Sequence, residues 1–160
     1  MGAGKLSLLF LSTRDSARGP IASAMALAGG RDGVASMSAG ISPAPIDALT
    51  VRVMSEIGID LASHQGIDVA LCADREFDCL ITVSERARVH GPGLVKAHTL
   101  VHWSFDDLVA ANGTDEHRLE VFRRVRNEIR NRVRLFLLEW AIRDWSVRLG
   151  LHSDASEDRS

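Results

Sequence analysis

Seven residues, Ser12-Thr13-Arg14-Asp15-Ser16-Ala17-Arg18, join an apolar run to a helix opened by Gly19-Pro20. A turn in that setting can aim successive backbone N–H groups at one anion. The partial positive charge of the helix N-terminus adds to the field, and a guanidinium can clamp two oxygens in a fork. Arg18, directly before Gly19-Pro20, is positioned for the fork. Together Ser12, Thr13, Arg14, Asp15, Ser16, Ala17 and Arg18 read as a candidate oxyanion-binding loop. Ser12, at the end of the apolar run, stands where an enzyme attacking such an anion would hold its nucleophile. A serine hydroxyl in that field is far harder to ionise than a thiol, so Ser12 is a weak nucleophile.

Other motifs carry less. Gly2-Ala3-Gly4-Lys5 precedes the first apolar run and lacks the spacing and the following Ser/Thr of a phosphate cradle. No GxSxG elbow surrounds Ser12, and His64, His90, His98, His102, His117 and His152 show no HExxH-type spacing, so no metal site and no cofactor are expected. Cys72 and Cys79 form no CxxC pair and read as buried, reduced thiols.

Strand-like runs at 5–11, 34–38, 77–83 and 97–103 alternate with helical patterns at 19–28 and 47–57. Such alternation predicts an α/β fold, a three-layer sandwich around a mostly parallel four-stranded sheet. From Thr114 onward Leu119, Phe122, Val125, Ile129, Val133, Phe136 and Trp140 recur at three- and four-residue steps. Arg123, Arg124, Arg126, Arg130, Arg132 and Arg134 fall largely outside that stripe. An unbroken helix to Trp145 would be about 45 Å long, more than a domain of this size needs, so a break or an overhang is expected. The 160 residues, 46% hydrophobic with a net charge of −2, suit one soluble domain with no bulk attraction to nucleic acid or anionic membrane. The late arginines are interleaved with Glu116, Glu120, Glu128 and Glu139, as on a solvated helix face. No membrane span or signal peptide is read, which predicts a cytoplasmic protein.

The loop, "SAGISPAPIDALTVRVMSEIGIDLASHQ" at 38–65, "HWSFDD" at 102–107 and "FRRVRNEIRNRVRLFL" at 122–137 occur in an order that resembles the low-molecular-weight tyrosine phosphatase superfamily. They are most similar to its thioredoxin-coupled arsenate reductase branch. The resemblance implies that fold, an oxyanion pocket made by the loop, and catalytic positions at Ser12, Arg18 and Asp107, the last matching the family's general acid. It also implies what is missing. The family's loop begins with a cysteine, and its two shuttle cysteines align with Ser84 and Gly91, ahead of the matching Pro92. Asp15 stands for the family's loop asparagine, Gly19 for its small hydroxyl residue and Leu108 for the proline after the acid. Reduction of arsenate in the family ends in a disulfide, which hydroxyls cannot form.

The expectation is a pseudoenzyme that binds phosphate, arsenate or sulfate, or a protein partner; the alternative is an active phosphatase or arsenate reductase with an atypical site based on Ser12. Asp15 is expected either to pair with Arg14 or Arg18 or to weaken anion binding by repulsion. The chain divides into a family-like domain at 1–138, a helical extension at 139–152 and a disordered tail at 153–160. The extension's apolar residues either fold back or expose a patch through which Trp140, Trp145 and Leu149 would bind a second copy or another protein.

Overall fold

In the computed structural model, which describes residues 4–108 and 110–150, four strands form one sheet. They are β1 (Leu6–Ser12), β2 (Val34–Gly40), β3 (Glu76–Thr82) and β4 (Lys96–His102). Their spatial order is β2-β1-β3-β4, and all three neighbouring pairs are parallel where a mostly parallel sheet was expected. Each strand falls within two residues of an apolar run read from the sequence; the run is longest in β1, whose burial on both faces needs continuous apolar residues. β1 is central, and Leu8, Leu9, Phe10 and Leu11 are completely buried. Register places Ser12 beside Gly40 and Leu11 beside Thr82, so three strands finish level around the loop that leaves β1.

Four helices cover the sheet: α1 (Arg18–Gly30), α2 (Ala48–Ser55), α3 (Glu85–His90) and α4 (Asp115–Arg148). On one face Leu8, Phe10, Cys79 and Ile81 pack with Ile21 and Met25 of α1 and with Phe122, Val125 and Ile129 of α4. On the other, Leu9, Leu11 and Leu80 pack with Val69, Cys72 and Ala87. The two cysteines therefore belong to opposite faces of the sheet, both as free thiols.

Helix starts follow their caps. Asp47 accepts a hydrogen bond from the Leu49 amide at 2.8 Å, and Thr114 from the His117 amide at 3.1 Å. The six-residue α3 has no apolar periodicity and was not legible in the sequence; it is fixed by Ser84, whose Oγ accepts from the Ala87 amide at 3.2 Å.

Of the two outcomes expected for the long helix, the structure shows the overhang. α4 runs unbroken for 34 residues, about 51 Å, passes position 138 without interruption, and has its last buried side chain at Val133. One arginine departs from the solvated face: Arg126 is buried and donates to the Val53 carbonyl at 2.9 Å and to Glu56 at 2.8 Å, clamping α2 to α4. No described helix is long and apolar enough to cross a membrane. The expected tail at 153–160, the end of the extension at 151–152 and the first two residues of the opening Gly-Ala-Gly-Lys lie outside the described residues.

Candidate oxyanion site

The loop's carbonyls are taken up from outside. Those of Ser12, Thr13, Arg14 and Ser16 accept hydrogen bonds from the amides of Ile41, Ser42, Ala44 and Asp47, at 2.7 to 3.1 Å. The carbonyl and the following N–H of a trans peptide point in opposite directions, so the N–H groups of Thr13, Arg14, Asp15 and Ala17 turn to the inner side. That is the nest geometry that favours an anion. Behind it α1 begins at Arg18 with no side-chain cap, its first amides unclaimed by a capping residue.

Close approach of β2 makes this possible. A Cβ on Gly40 would lie 2.9 Å from the Arg14 carbonyl carbon and 3.0 Å from the Asp15 nitrogen, so only glycine lets the strand end support the loop. Asp15 itself has φ of 53°, the left-handed region that aspartate and asparagine tolerate.

Residues 12–18 and Asp107 line one cavity of about 120 Å³, the space of a small anion rather than of an organic cofactor. Ser12 is buried, its Oγ accepting from the Asp15 amide at 3.0 Å. Arg18 reaches across the opening: one guanidinium nitrogen donates to the Phe105 carbonyl at 3.3 Å, and the other lies 3.6 Å from Asp107 Oδ1. Burial pulls Arg18 below the usual arginine range while Asp107 opposes that shift, so the guanidinium remains a cation against which an anion gains strongly. Asp107 is held from both sides, by fully buried Leu108 and by Asp106, which accepts from Arg124 of α4 at 2.8 Å.

Of the two outcomes expected for Asp15, pairing with a loop arginine is not seen. The structure gives it neither Arg14 nor Arg18 as a partner; its Oδ2 accepts from the Ile67 amide at 3.0 Å and lies 3.3 Å from His64 Nε2. Its carboxylate is wholly buried, and it raises the His64 imidazole above its ordinary value, outweighing the opposing effect of burial. The second oxygen, Oδ1, has no hydrogen-bond partner. His64, Ile67 and the Phe105 carbonyl are the site's supports that sequence reading missed. His64 was grouped with scattered histidines, and its only signal was the "ASHQ" stretch within the family-like segment.

Ser84 and Gly91, the positions that the resemblance aligns with the family's shuttle cysteines, have other roles in the structure. Ser84 caps α3 and accepts from Thr13 Oγ1 at 3.0 Å, tying that helix to the loop. Gly91 is buried, and a Cβ there would meet Leu11 Cδ2 at 2.9 Å. Cys72 and Cys79 do not line the loop cavity. Burial raises both thiols, Cys79 to about 11, which suppresses the thiolate that nucleophilic or redox work needs. Among the described residues no three His, Cys, Asp or Glu side chains are grouped to hold a metal ion.

No protein-family model matches the chain. Among curated proteins it is similar to an arsenate reductase of Bacillus subtilis, 33% identical over 141 residues that span 81% of this chain and 93% of that protein. It is also similar to an arsenate reductase of Halalkalibacterium halodurans, 36% identical over 99 residues, 62% of this chain and 71% of the relative. In structure it resembles an arsenate reductase in the phosphate binding state, with TM-score 0.71 and 23% identity over 86% of this chain and 98% of that one. It resembles likewise Vibrio vulnificus Wzb in complex with benzylphosphonate, with TM-score 0.66 and 18% identity over 86% and 99% of the two chains.

Proposed function

The chain belongs to the arsenate reductase family, and from that premise we propose that it is a member that binds a tetrahedral oxyanion, phosphate or arsenate, without thiol-based turnover. The observation that carries this reading is the cavity itself. Inward amides, an uncapped helix start and Arg18 converge on one small space whose floor holds Ser12 Oγ and no sulfur.

Two further features support it. Reducing arsenate with protein thiols needs a nucleophilic sulfur and others to resolve it. The chain has only two cysteines, each deep in its own side of the core. The sites where a relay would pass hold a helix cap and a packed glycine. In this reading the protein works in the cytoplasm, as a sensor or sequestering protein whose occupied loop is the signal. Asp107 beside Arg18 favours a second, slower activity, hydrolysis of a phosphate ester with Asp107 protonating the leaving oxygen.

Calorimetric titration with phosphate, arsenate and sulfate tests the binding, with Arg18→Ala as the control. Saturable heat that disappears in Arg18→Ala is expected; absence of binding for every anion overturns the proposal. Phosphate ester turnover above the Arg18→Ala background would favour the hydrolytic reading over binding alone.

A further inference from the structure

The overhang of α4 carries a second pattern that covering the sheet does not require. Leu135, Leu138, Ile142, Trp145 and Leu149 follow steps of three, four, three and four, the a and d positions of a heptad. Each is more than half exposed, from 52% at Leu149 to 60% at Trp145.

At 3.6 residues per turn this stripe lies about 180° around the helix from Phe122, Ile129 and Val133, which face the sheet. Further up the helix the same outward face is polar, with Glu120, Arg124, Glu128 and Asn131. The outer surface therefore turns apolar only where α4 leaves the body. Trp140, grouped with Trp145 and Leu149 in the sequence, is off this stripe, about 180° around the helix from Leu149; it lines a cavity with Cys79 and Trp103, whose rim Leu135 and Glu139 share.

We propose that this stripe is a homodimer seam, on which the same helix of a second copy packs in parallel as a short two-stranded coiled coil. Charge selects the occupant and its direction. In parallel register Arg134, at a g position, faces Glu139 at the partner's e position, and symmetry makes the pair twice; the antiparallel pairing sets Arg134 near the second copy's Arg148. Ala141 and Ser146, the next g and e positions, are small enough for close approach.

The stripe lies on the side of α4 opposite the sheet-facing residues, so each body would stand outside the pair. Glu139, Arg143, Asp144 and Arg148 balance, so the overhang has no net charge to draw it to anionic lipid. Half-exposed side chains of this size offer roughly 100 Å² each, hence about 500 Å² per partner before the flanking stems, the lower edge of a specific interface. The helix is already anchored by its first half, so no nucleation cost is added.

Sedimentation equilibrium of the full chain from about 5 to 500 μM tests this, a range suited to a small, weak interface. A monomer–dimer equilibrium is expected. Trp145→Glu, at an exposed position, should raise the dissociation constant at least ~30-fold with an unchanged circular dichroism spectrum. Arg134→Glu and Glu139→Arg should each weaken the dimer roughly 3- to 10-fold, and the double reversal should restore it. Monomer at every concentration, or a dimer indifferent to Trp145→Glu, overturns the proposal. A double reversal that fails to restore the dimer overturns the parallel register.

Discussion

The loop at 12–18 and the overhang at 138–150 are both incomplete surfaces, but in opposite ways. In the loop every carbonyl turned outward has a protein partner, and what remains inward is a set of donors and a guanidinium. The overhang has satisfied its backbone within the helix, and what remains is apolar area. Unmet hydrogen-bond donors in a small concave space call for an anion; unmet apolar area on a rigid rod calls for another rod. The two lie at opposite ends of the sheet. The loop follows the end of β1, whereas the overhang borders a cavity with Lys5 and Val34 at the strand starts. Each can therefore be altered without disturbing the other.

The largest expected effect falls on the loop. Arg18→Ala removes a charge-assisted fork and should weaken phosphate binding about 50- to 100-fold by calorimetry, leaving the association state untouched. Leaving phosphate affinity unchanged is the expected behaviour of Trp145→Glu, and a shift in both properties would show the regions to be coupled. Smaller and opposite in sign is Asp15→Asn. It deletes a buried negative charge beside the anion space while an acceptor for the Ile67 amide remains, and phosphate affinity should rise about 5-fold.

The His64–Asp15 contact predicts a pH dependence with a definite sign. His64 has its folded value raised above 6.5, so the stability it contributes is fully present below that pH and is lost as pH rises through the folded value. Thermal unfolding of His64→Gln should show a loss of about 1 kcal/mol at pH 5.5 that shrinks toward alkaline pH. The smallest effect is at Glu56, exposed and held down to about 2 by Arg123 first and Arg126 next. Its contribution is present above the ordinary value of 4.5 and lost as pH falls toward 2. Glu56→Gln should flatten the stability profile in that acid window and nowhere else.

What the sequence disclosed follows the same division. The loop was legible because its residues are contiguous, bounded by a buried strand and a helix start, and the sheet because β1 and β3 each carry an apolar run, at 8–11 and 79–81. The partners of Asp15, His64 and Ile67, were not legible because they lie about fifty residues away and become neighbours only when β2 ends against the loop. α3 stayed hidden because six residues held by one cap, with only Ala87 and Val89 apolar, are too short to show a period. Trp140 and Trp145 looked alike in the sequence. They are five residues apart, about 140° around the helix, and which one faces the body depends on how α4 docks.

The proposed function rests on an oxyanion loop kept without the sulfur chemistry of its family. The most direct test supplies the purified chain with arsenate, thioredoxin, thioredoxin reductase and NADPH, and follows NADPH oxidation at high protein concentration. The predicted result is a rate no higher than that of Arg18→Ala, from a protein that still binds arsenate. Sustained oxidation that requires Arg18 would mean that electrons reach the loop without a thiol in it, and would contradict the claim.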